Sequence, residues 1–169
     1  MSATIFVDTN VFVYARDTAH AQKQEMAVEW VDRLWREQSG RTSIQVLSEL
    51  YVTLTRKLRP GRPADDAWED VSALMAWNPA PLDREALARG RDILARYKMS
   101  WWDSLIVATA QLQDCDILLT EDLQDGMRFG HVTVQSPFQR RVSELPASYR
   151  NVDVDAPRHR RPGRPRARA

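Results

Sequence analysis

The sequence predicts an α/β fold in which a central parallel sheet is flanked by helices. Short apolar segments typical of buried strands alternate with longer segments whose apolar residues recur at helical spacing. The chain has 169 residues, which is enough for one compact domain with some length left over. Such an alternation is typical of a parallel sheet that helices cover on both faces.

The first half of the chain predicts two strands and three helices. The apolar run Ile5–Val7 ends at Asp8, which opens a series of residue types that cap helices. Gly40 ends a long stretch with apolar residues at helical spacing, and a break with proline and glycine follows the next such stretch. In chain order we expect a strand at Ile5–Val7, helices at 11–16 and 21–37, a brief strand at 41–44 and a helix at 46–57.

The second half predicts three helices, two further strands and a candidate edge strand. Asp83 is a capping residue at the start of one helix, and Asp103 opens another. Residues 116–119 are largely apolar and have polar neighbours, which favours an interior strand. In chain order we expect a helix at 64–76, a candidate edge strand at 80–82, helices at 84–97 and 104–113, and strands at 116–119 and 131–134.

Periodicity fades after Phe138. We expect residues 1–138 to form the folded domain and residues 139–155 to be an extension of unclear structure. Residues 156–169 contain six arginines, three prolines and no acid, and we expect this tail to be disordered. Without the tail, 18 basic residues stand against 23 acidic ones. An acidic body is unusual for a passive nucleic-acid binder and suits an enzyme that collects cations.

The composition excludes several protein classes. No apolar run reaches the ~18–20 residues needed to cross a bilayer. The N-terminus has no basic region before its first apolar run, which argues against a signal peptide. The single cysteine, Cys115, cannot form an internal disulfide, and we expect it to be a small buried residue. We therefore expect a soluble cytoplasmic protein.

Four acidic residues stand where a parallel sheet could bring them together. Asp8 ends the first strand and Asp122 follows the interior strand, so they meet at one edge if these strands are parallel neighbours. Glu49 lies about one turn into a helix and Asp103 opens another, so both lie near helix starts that can face this edge. The sequence thus predicts a cluster of four carboxylates, conditional on the strand order.

Such a cluster favours a hard divalent cation. Four carboxylates repel one another, and burial strengthens the repulsion. Oxygen ligands without histidine or thiolate favour Mg²⁺, or Mn²⁺, over zinc. A cation of this kind can activate water towards a phosphodiester and stabilise the charge on the leaving oxygen. The chain has no Gly-x-Ser-x-Gly elbow and no Walker loop, so the motifs that those other hydrolytic mechanisms require are absent.

Each acid also has an ordinary structural interpretation. Asp8 can cap the first helix, and Asp103 can belong to a capping box. Glu49 can lie on a solvated helix face, while Asp122 and Asp125 can be turn residues. The prediction of a site therefore depends on the acids as a set.

The segments that carry these acids resemble the motifs of PIN-domain ribonucleases, in particular the VapC-type toxins of bacterial toxin–antitoxin pairs. The resemblance spans roughly residues 4–138, and the motifs occur in the family's order. The segments are VDTNV at 7–11, SIQVLSE at 43–49, WDSLIVA at 102–108 and LTEDLQDG at 119–126.

The resemblance implies a PIN-like three-layer fold and an Mg²⁺-dependent endoribonuclease that leaves a 5′-phosphate and a 3′-hydroxyl. It further implies an RNA substrate, a homodimer and a cognate antitoxin that inserts a segment near the acidic pocket. By the resemblance, Asp8, Glu49, Asp103 and Asp122 match the family's metal-binding acids, and Asn10 and Thr120 match its supporting residues, with Asp125 as an accessory supporting acid. Of the four acids, we expect Asp8, Asp103 and Asp122 to hold the metal and Glu49 to be a further ligand or to orient the attacking water.

Two other functions stay open on the sequence. A receiver- or phosphatase-like module would use its acidic pocket to accept phosphoryl groups. That chemistry requires a second aspartate at the position of Asn10 and a lysine late in the chain. This sequence has asparagine at that position, and no lysine follows Lys98. A catalytically idle protein-binding domain is the other alternative, and the presence of all four acids argues against it.

Overall fold

The computed structural model describes residues 3–139, in which helices flank one five-stranded sheet. The predictions for residues 140–169, most of the extension and the whole arginine-rich tail, lie outside the described residues. The strands are β1 (Ile5–Val7), β2 (Gly40–Arg41), β3 (Ile117–Leu119), β4 (Arg128–Phe129) and β5 (Val132–Gln135).

The strand order places β1 and β3 side by side in the interior of the sheet. The order is β2-β1-β3-β5-β4. β1, β2, β3 and β5 run parallel, whereas the edge strand β4 is antiparallel to β5. The predicted fold class is therefore confirmed, with one antiparallel edge strand added to it.

Six α-helices connect and flank these strands within the described part of the chain. None of them has the length and apolar character needed to cross a membrane. The helices are α1 (Thr9–Tyr14), α2 (Ala21–Glu37), α3 (Ile44–Val52), α4 (Ala64–Ala73), α5 (Arg84–Tyr97) and α6 (Trp101–Leu112). A π-helical turn, Thr53–Lys57, continues α3, and a 3₁₀ turn, Leu74–Trp77, continues α4.

Side-chain caps explain where two helices depart from the sequence prediction. Ser100 accepts a hydrogen bond from the Asp103 backbone N–H, so α6 begins at Trp101 and Asp103 lies inside its first turn. Ser43 caps α3 in the same way, which ends β2 before the predicted strand is complete. The candidate edge strand at 80–82 is reduced to a single bridge between Ser43 and Ala80.

The central strands β1 and β3 are buried in the hydrophobic core. Phe6 and Leu118 have no exposed surface. Helices α5 and α6 pack closely where Gly90 faces Leu105, since a Cβ at Gly90 would lie 2.7 Å from Leu105 Cδ2. Cys115 is fully buried, and burial raises the pKa of its thiol, which confirms it as a small core residue.

Candidate active site

The pairing of β1 with β3 brings two of the predicted acids to one sheet edge. Val7 is in register with Leu119, and both are the last residues of their parallel strands. The Asp8 backbone N–H then donates to the Leu119 carbonyl at 3.1 Å, which extends the ladder by one residue. Asp8 and the segment that begins at Thr120 therefore leave the sheet side by side. The condition on strand order is met.

Asp8 is a buried carboxylate with donors on both oxygens. The residue as a whole is 6 % exposed. The Thr9 backbone N–H donates to Oδ1 at 2.7 Å, and the Thr120 hydroxyl donates to Oδ2 at 2.8 Å. Burial is the main reason that the pKa of Asp8 is raised to about 7; the hydrogen bonds from Thr120 and Thr9 oppose the rise, and the charges of Asp122 and Glu49 contribute to it. The structural interpretation also holds, because Asp8 is the N-cap of α1.

Asn10 links Asp8 to Asp122. Its Nδ2 donates to Asp122 Oδ2 and to Thr120 Oγ1, both at 3.1 Å, and lies 3.4 Å from Asp8 Oδ2. The Asp122 backbone N–H donates to Thr120 Oγ1 at 3.1 Å. Asn10 Oδ1 is buried and has no hydrogen-bond partner. Asn10 and Thr120, two of the predicted supporting residues, therefore hold the two aspartates together.

Glu49 reaches the cluster from α3. The Thr9 hydroxyl donates to Glu49 Oε2 at 3.0 Å, and Gln45 Nε2 donates to Oε1 at the same distance. Glu49 is half-buried, so it does not lie on a fully solvated helix face. Its charge acts on Asp8 strongly enough to contribute to the raised pKa of that carboxyl. Thr9 thus contacts both acids: its backbone N–H donates to Asp8, and its hydroxyl donates to Glu49.

Asp103 is the one predicted acid that does not join this hydrogen-bonded group. The Ser100 hydroxyl donates to Asp103 Oδ2 at 2.7 Å, so the capping-box interpretation is correct for its local structure. Between residues 3 and 139 its carboxylate shares no hydrogen bond with the other three acids. Gln45 nevertheless ties the first turn of α6 to the cluster, since Nε2 also donates to the Trp102 carbonyl at 3.3 Å.

The two acids beside Asp122 have other partners. Glu121 Oε2 accepts from Lys23 Nζ at 2.6 Å. Asp125 Oδ1 accepts from the Ser136 backbone N–H at 2.7 Å, which fastens the turn to the end of β5. Asp122 is therefore the acid of this loop that contacts the Asp8 group.

The oxygen atoms of this cluster are of the kind that bind a hard cation, although the carboxylates do not converge on one point. The cluster offers carboxylate and amide oxygens, which Mg²⁺ and Mn²⁺ prefer. The buried, unpartnered Asn10 Oδ1 is a further oxygen acceptor in its middle. Within the described residues, however, no three Asp, Glu, His or Cys side chains converge as ligands of one ion. The donors of Thr9, Asn10 and Thr120 lie between the carboxylates and keep their charges apart.

Two residues of the cluster were not predicted from the sequence. Thr9 and Gln45 together supply a hydrogen bond to each oxygen of Glu49. A signal for Gln45 did exist, because it precedes Glu49 by four residues and thus lies one turn away on the same helix face. Thr9 gave no comparable signal, because a threonine between Asp8 and Asn10 is equally typical of an ordinary helix start.

Several solved structures are similar to this chain in fold. A toxin–antitoxin complex from Klebsiella pneumoniae is similar to this chain at 18% identity with a TM-score of 0.54, covering 76% of this chain and 95% of that one. VapBC2 from Rickettsia felis, bound to a DNA fragment from its promoter, is 14% identical with a TM-score of 0.53, covering 78% and 97% of the two chains. Among curated proteins, none matches this sequence significantly.

The family itself is shown by the sequence. The model of the PIN domain family matches residues 5–126, which is more than half of the chain. The matched range contains all four predicted acids as well as the strands β1 and β3 that hold two of them together. The chain belongs to the PIN-domain family.

Proposed function

We propose that this protein is a divalent-metal-dependent endoribonuclease and the toxin of a type II toxin–antitoxin pair. The observation that carries the proposal is the hydrogen-bonded group of Asp8, Asn10, Thr120 and Asp122 at the carboxyl edge of β1 and β3, with Glu49 joined to it through Thr9. A buried carboxylate such as Asp8, with the half-buried Glu49 and the exposed Asp122 close to it, is costly to maintain without a cation to neutralise it. Membership of the PIN-domain family supports a nuclease activity for this edge.

The proposed ligands are Asp8, Asp103 and Asp122, with Glu49 as a further ligand or as the group that orients the attacking water. Mg²⁺ is the expected cation and Mn²⁺ a substitute for it, since every donor is an oxygen. When bound, the cation would supply activation of water and stabilisation of the leaving oxygen at the phosphodiester.

The chain's own polar residues prepare this arrangement. Asn10 Nδ2 contacts the carboxylates of both Asp8 and Asp122, while the Thr120 hydroxyl donates to Asp8 and accepts from the Asp122 backbone N–H. The two acids therefore keep a fixed relative position. Thr9 does the same for Asp8 and Glu49. Attack on phosphorus would leave a 5′-phosphate and a 3′-hydroxyl. Asp125, held by Ser136, is at most an accessory acid.

The partners are also part of the proposal. The structurally similar proteins include a toxin–antitoxin complex and VapBC2, which supports a cognate antitoxin as a partner. We propose that this antitoxin inserts a segment near the acidic pocket. We further propose that the protein acts as a homodimer in the cytoplasm, where its RNA substrate is found.

The deciding experiment is cleavage of RNA by the purified full chain. We expect products with 5′-phosphates in Mg²⁺ or Mn²⁺, and loss of cleavage when EDTA is added. Asp8→Asn should abolish cleavage while the circular dichroism spectrum stays that of the folded protein. Cleavage that persists at the wild-type rate in EDTA, or in Asp8→Asn, would contradict the proposal.

A further inference from the structure

We infer that Gln45 is a positioning residue that fixes Glu49 relative to the start of α6, the helix that carries Asp103. The inference rests on the proposed metal-dependent nuclease function, because it concerns how two of its acids are held. Gln45 lies in the first turn of α3 and is only 6 % exposed.

The amide of Gln45 makes two hydrogen bonds to different parts of the site. Nε2 donates to Glu49 Oε1 at 3.0 Å within α3, and to the Trp102 carbonyl at 3.3 Å in the first turn of α6. A side-chain amide nitrogen has two N–H groups, so both are used. One side chain thereby joins the helix of Glu49 to the residue that precedes Asp103.

Folding stability alone does not explain a glutamine at this position. Gln45 Oε1 is buried and has no hydrogen-bond partner. An unpaired buried acceptor is destabilising, and an apolar side chain of similar size would fill the same space without it. The amide of Gln45 therefore matters because its Nε2 is oriented towards Glu49 and Trp102. It does not belong to a buried network in which every polar atom is paired.

The consequence for Glu49 is a fixed carboxylate. Thr9 donates to one of its oxygens and Gln45 to the other, so both ends of the carboxylate are held. Without Gln45, Oε1 would lose its donor, and repulsion from Asp8 and Asp122 would favour side-chain conformations that turn towards solvent. Loss of a residue that orients a ligand typically weakens metal binding by about 10–100-fold.

The test measures binding of Mn²⁺ to the full chain by calorimetry and by electron paramagnetic resonance, without RNA. We expect Gln45→Met to bind Mn²⁺ about 10–100-fold more weakly than the wild type. Its melting temperature in EDTA should be unchanged or higher, because the unpaired Oε1 is removed. A residue needed only for folding would instead lower the melting temperature.

Gln113 provides a matched control. Its Oε1 is also buried without a partner, and its Nε2 donates to a backbone carbonyl, that of Asn78, at 2.9 Å. It follows the last residue of α6, at the opposite end of that helix from Asp103. Gln113→Met should leave Mn²⁺ affinity unchanged.

The outcomes separate the two proposals. A wild type that does not bind Mn²⁺, or Asp8→Asn that binds it equally well, would overturn the proposed function together with the role of Gln45. Normal binding by the wild type with a loss of less than about fivefold in Gln45→Met would overturn the role of Gln45 alone. If Gln45→Met does not fold, the same criterion applies to Gln45→Asn, whose shorter side chain cannot span Glu49 and Trp102.

Discussion

The hydroxyl of Thr120 donates a 2.8 Å hydrogen bond to Oδ2 of Asp8. Asp8 is the first residue after β1 and Thr120 the first after β3, and these two parallel strands pair with each other. Thr120 is fully buried, and its Oγ1 also accepts from Asn10 Nδ2 and from the Asp122 backbone N–H. A single hydroxyl therefore connects both aspartates and the asparagine between them.

Removal of this hydroxyl should damage the site more than the fold. We expect Thr120→Val to lower the free energy of unfolding by about 1–3 kcal/mol, because it leaves two donors and a buried acid without their partner. Cleavage should fall by about 10–100-fold, as for other residues that orient a ligand. Urea denaturation and RNA cleavage measure the two effects.

Thr109 is the control for that substitution. It is fully buried, and its hydroxyl donates to the carbonyls of Leu105 and Ile106 within α6. Thr109→Val should change stability without changing cleavage. Equal losses of cleavage in both variants would contradict a specific role for Thr120.

Asp8 should make the metal-free protein less stable as pH rises. Its pKa is 3.8 for an ordinary aspartate and about 7 in the folded chain, so between these values the folded state binds a proton that the unfolded state has lost. Stability then decreases from pH ~4 to pH ~7, and above pH 7 the full penalty, at most about 4 kcal/mol, remains. Asp8→Asn removes the titrating group.

The measurement is urea denaturation in EDTA at a series of pH values. Relative to the wild type, Asp8→Asn should gain about 2–4 kcal/mol in free energy of unfolding between pH 4 and pH 8. Mn²⁺ affinity of the wild type should rise over the same interval, because the cation competes with the proton on Asp8. If the free energies of unfolding of the two proteins changed in parallel with pH, the pKa of Asp8 would be that of an ordinary aspartate and the prediction would be wrong.

Asp103 should be required for cleavage although it lies apart from the hydrogen-bonded group. We expect Asp103→Asn to reduce cleavage by about 100-fold or more, as for a lost ligand, and stability by no more than about 1 kcal/mol, since it lies in a first helical turn. Asp83→Asn is the control, because Asp83 caps α5 through the Ala86 N–H and asparagine caps equally well. Wild-type cleavage by Asp103→Asn would remove Asp103 from the site.

Asp122 should matter more than Asp125. Asp122 accepts from Asn10 inside the cluster, whereas Asp125 accepts from the Ser136 backbone N–H at the end of β5. We expect Asp122→Asn to lose at least about tenfold more cleavage activity than Asp125→Asn. Single-turnover cleavage with both variants checks this ranking, and the reverse order would make Asp125 the fourth acid.

Much of the fold was predictable because the relevant signals are local. The bounds of α2 and α5 match the predicted ones, since both helices have regular apolar spacing and clear ends. Strand β4 was not predicted, because Arg128–Phe129 is too short to show a period and forms only by pairing with β5.

The site was predictable to the extent that topology determines it. Asp8 and Asp122 could be placed together once β1 and β3 were taken as parallel neighbours, and the structure confirms that pairing. The ligand role of Asp103 remains a prediction. The hydrogen bonds of Thr9 and Gln45 depend on side-chain conformations that sequence spacing does not determine.

The pairing of β1 with β3 has a consequence for the nascent protein. Asp8 and Thr120 are 112 residues apart in the chain, yet they follow directly on strands that pair in register. A ribosome-bound chain that has emerged only as far as α6 already contains Asp8, Glu49 and Asp103, but not β3, the strand that pairs with β1 and leads to Thr120 and Asp122. The acidic site therefore arises late in synthesis, and a prematurely terminated product cannot assemble it.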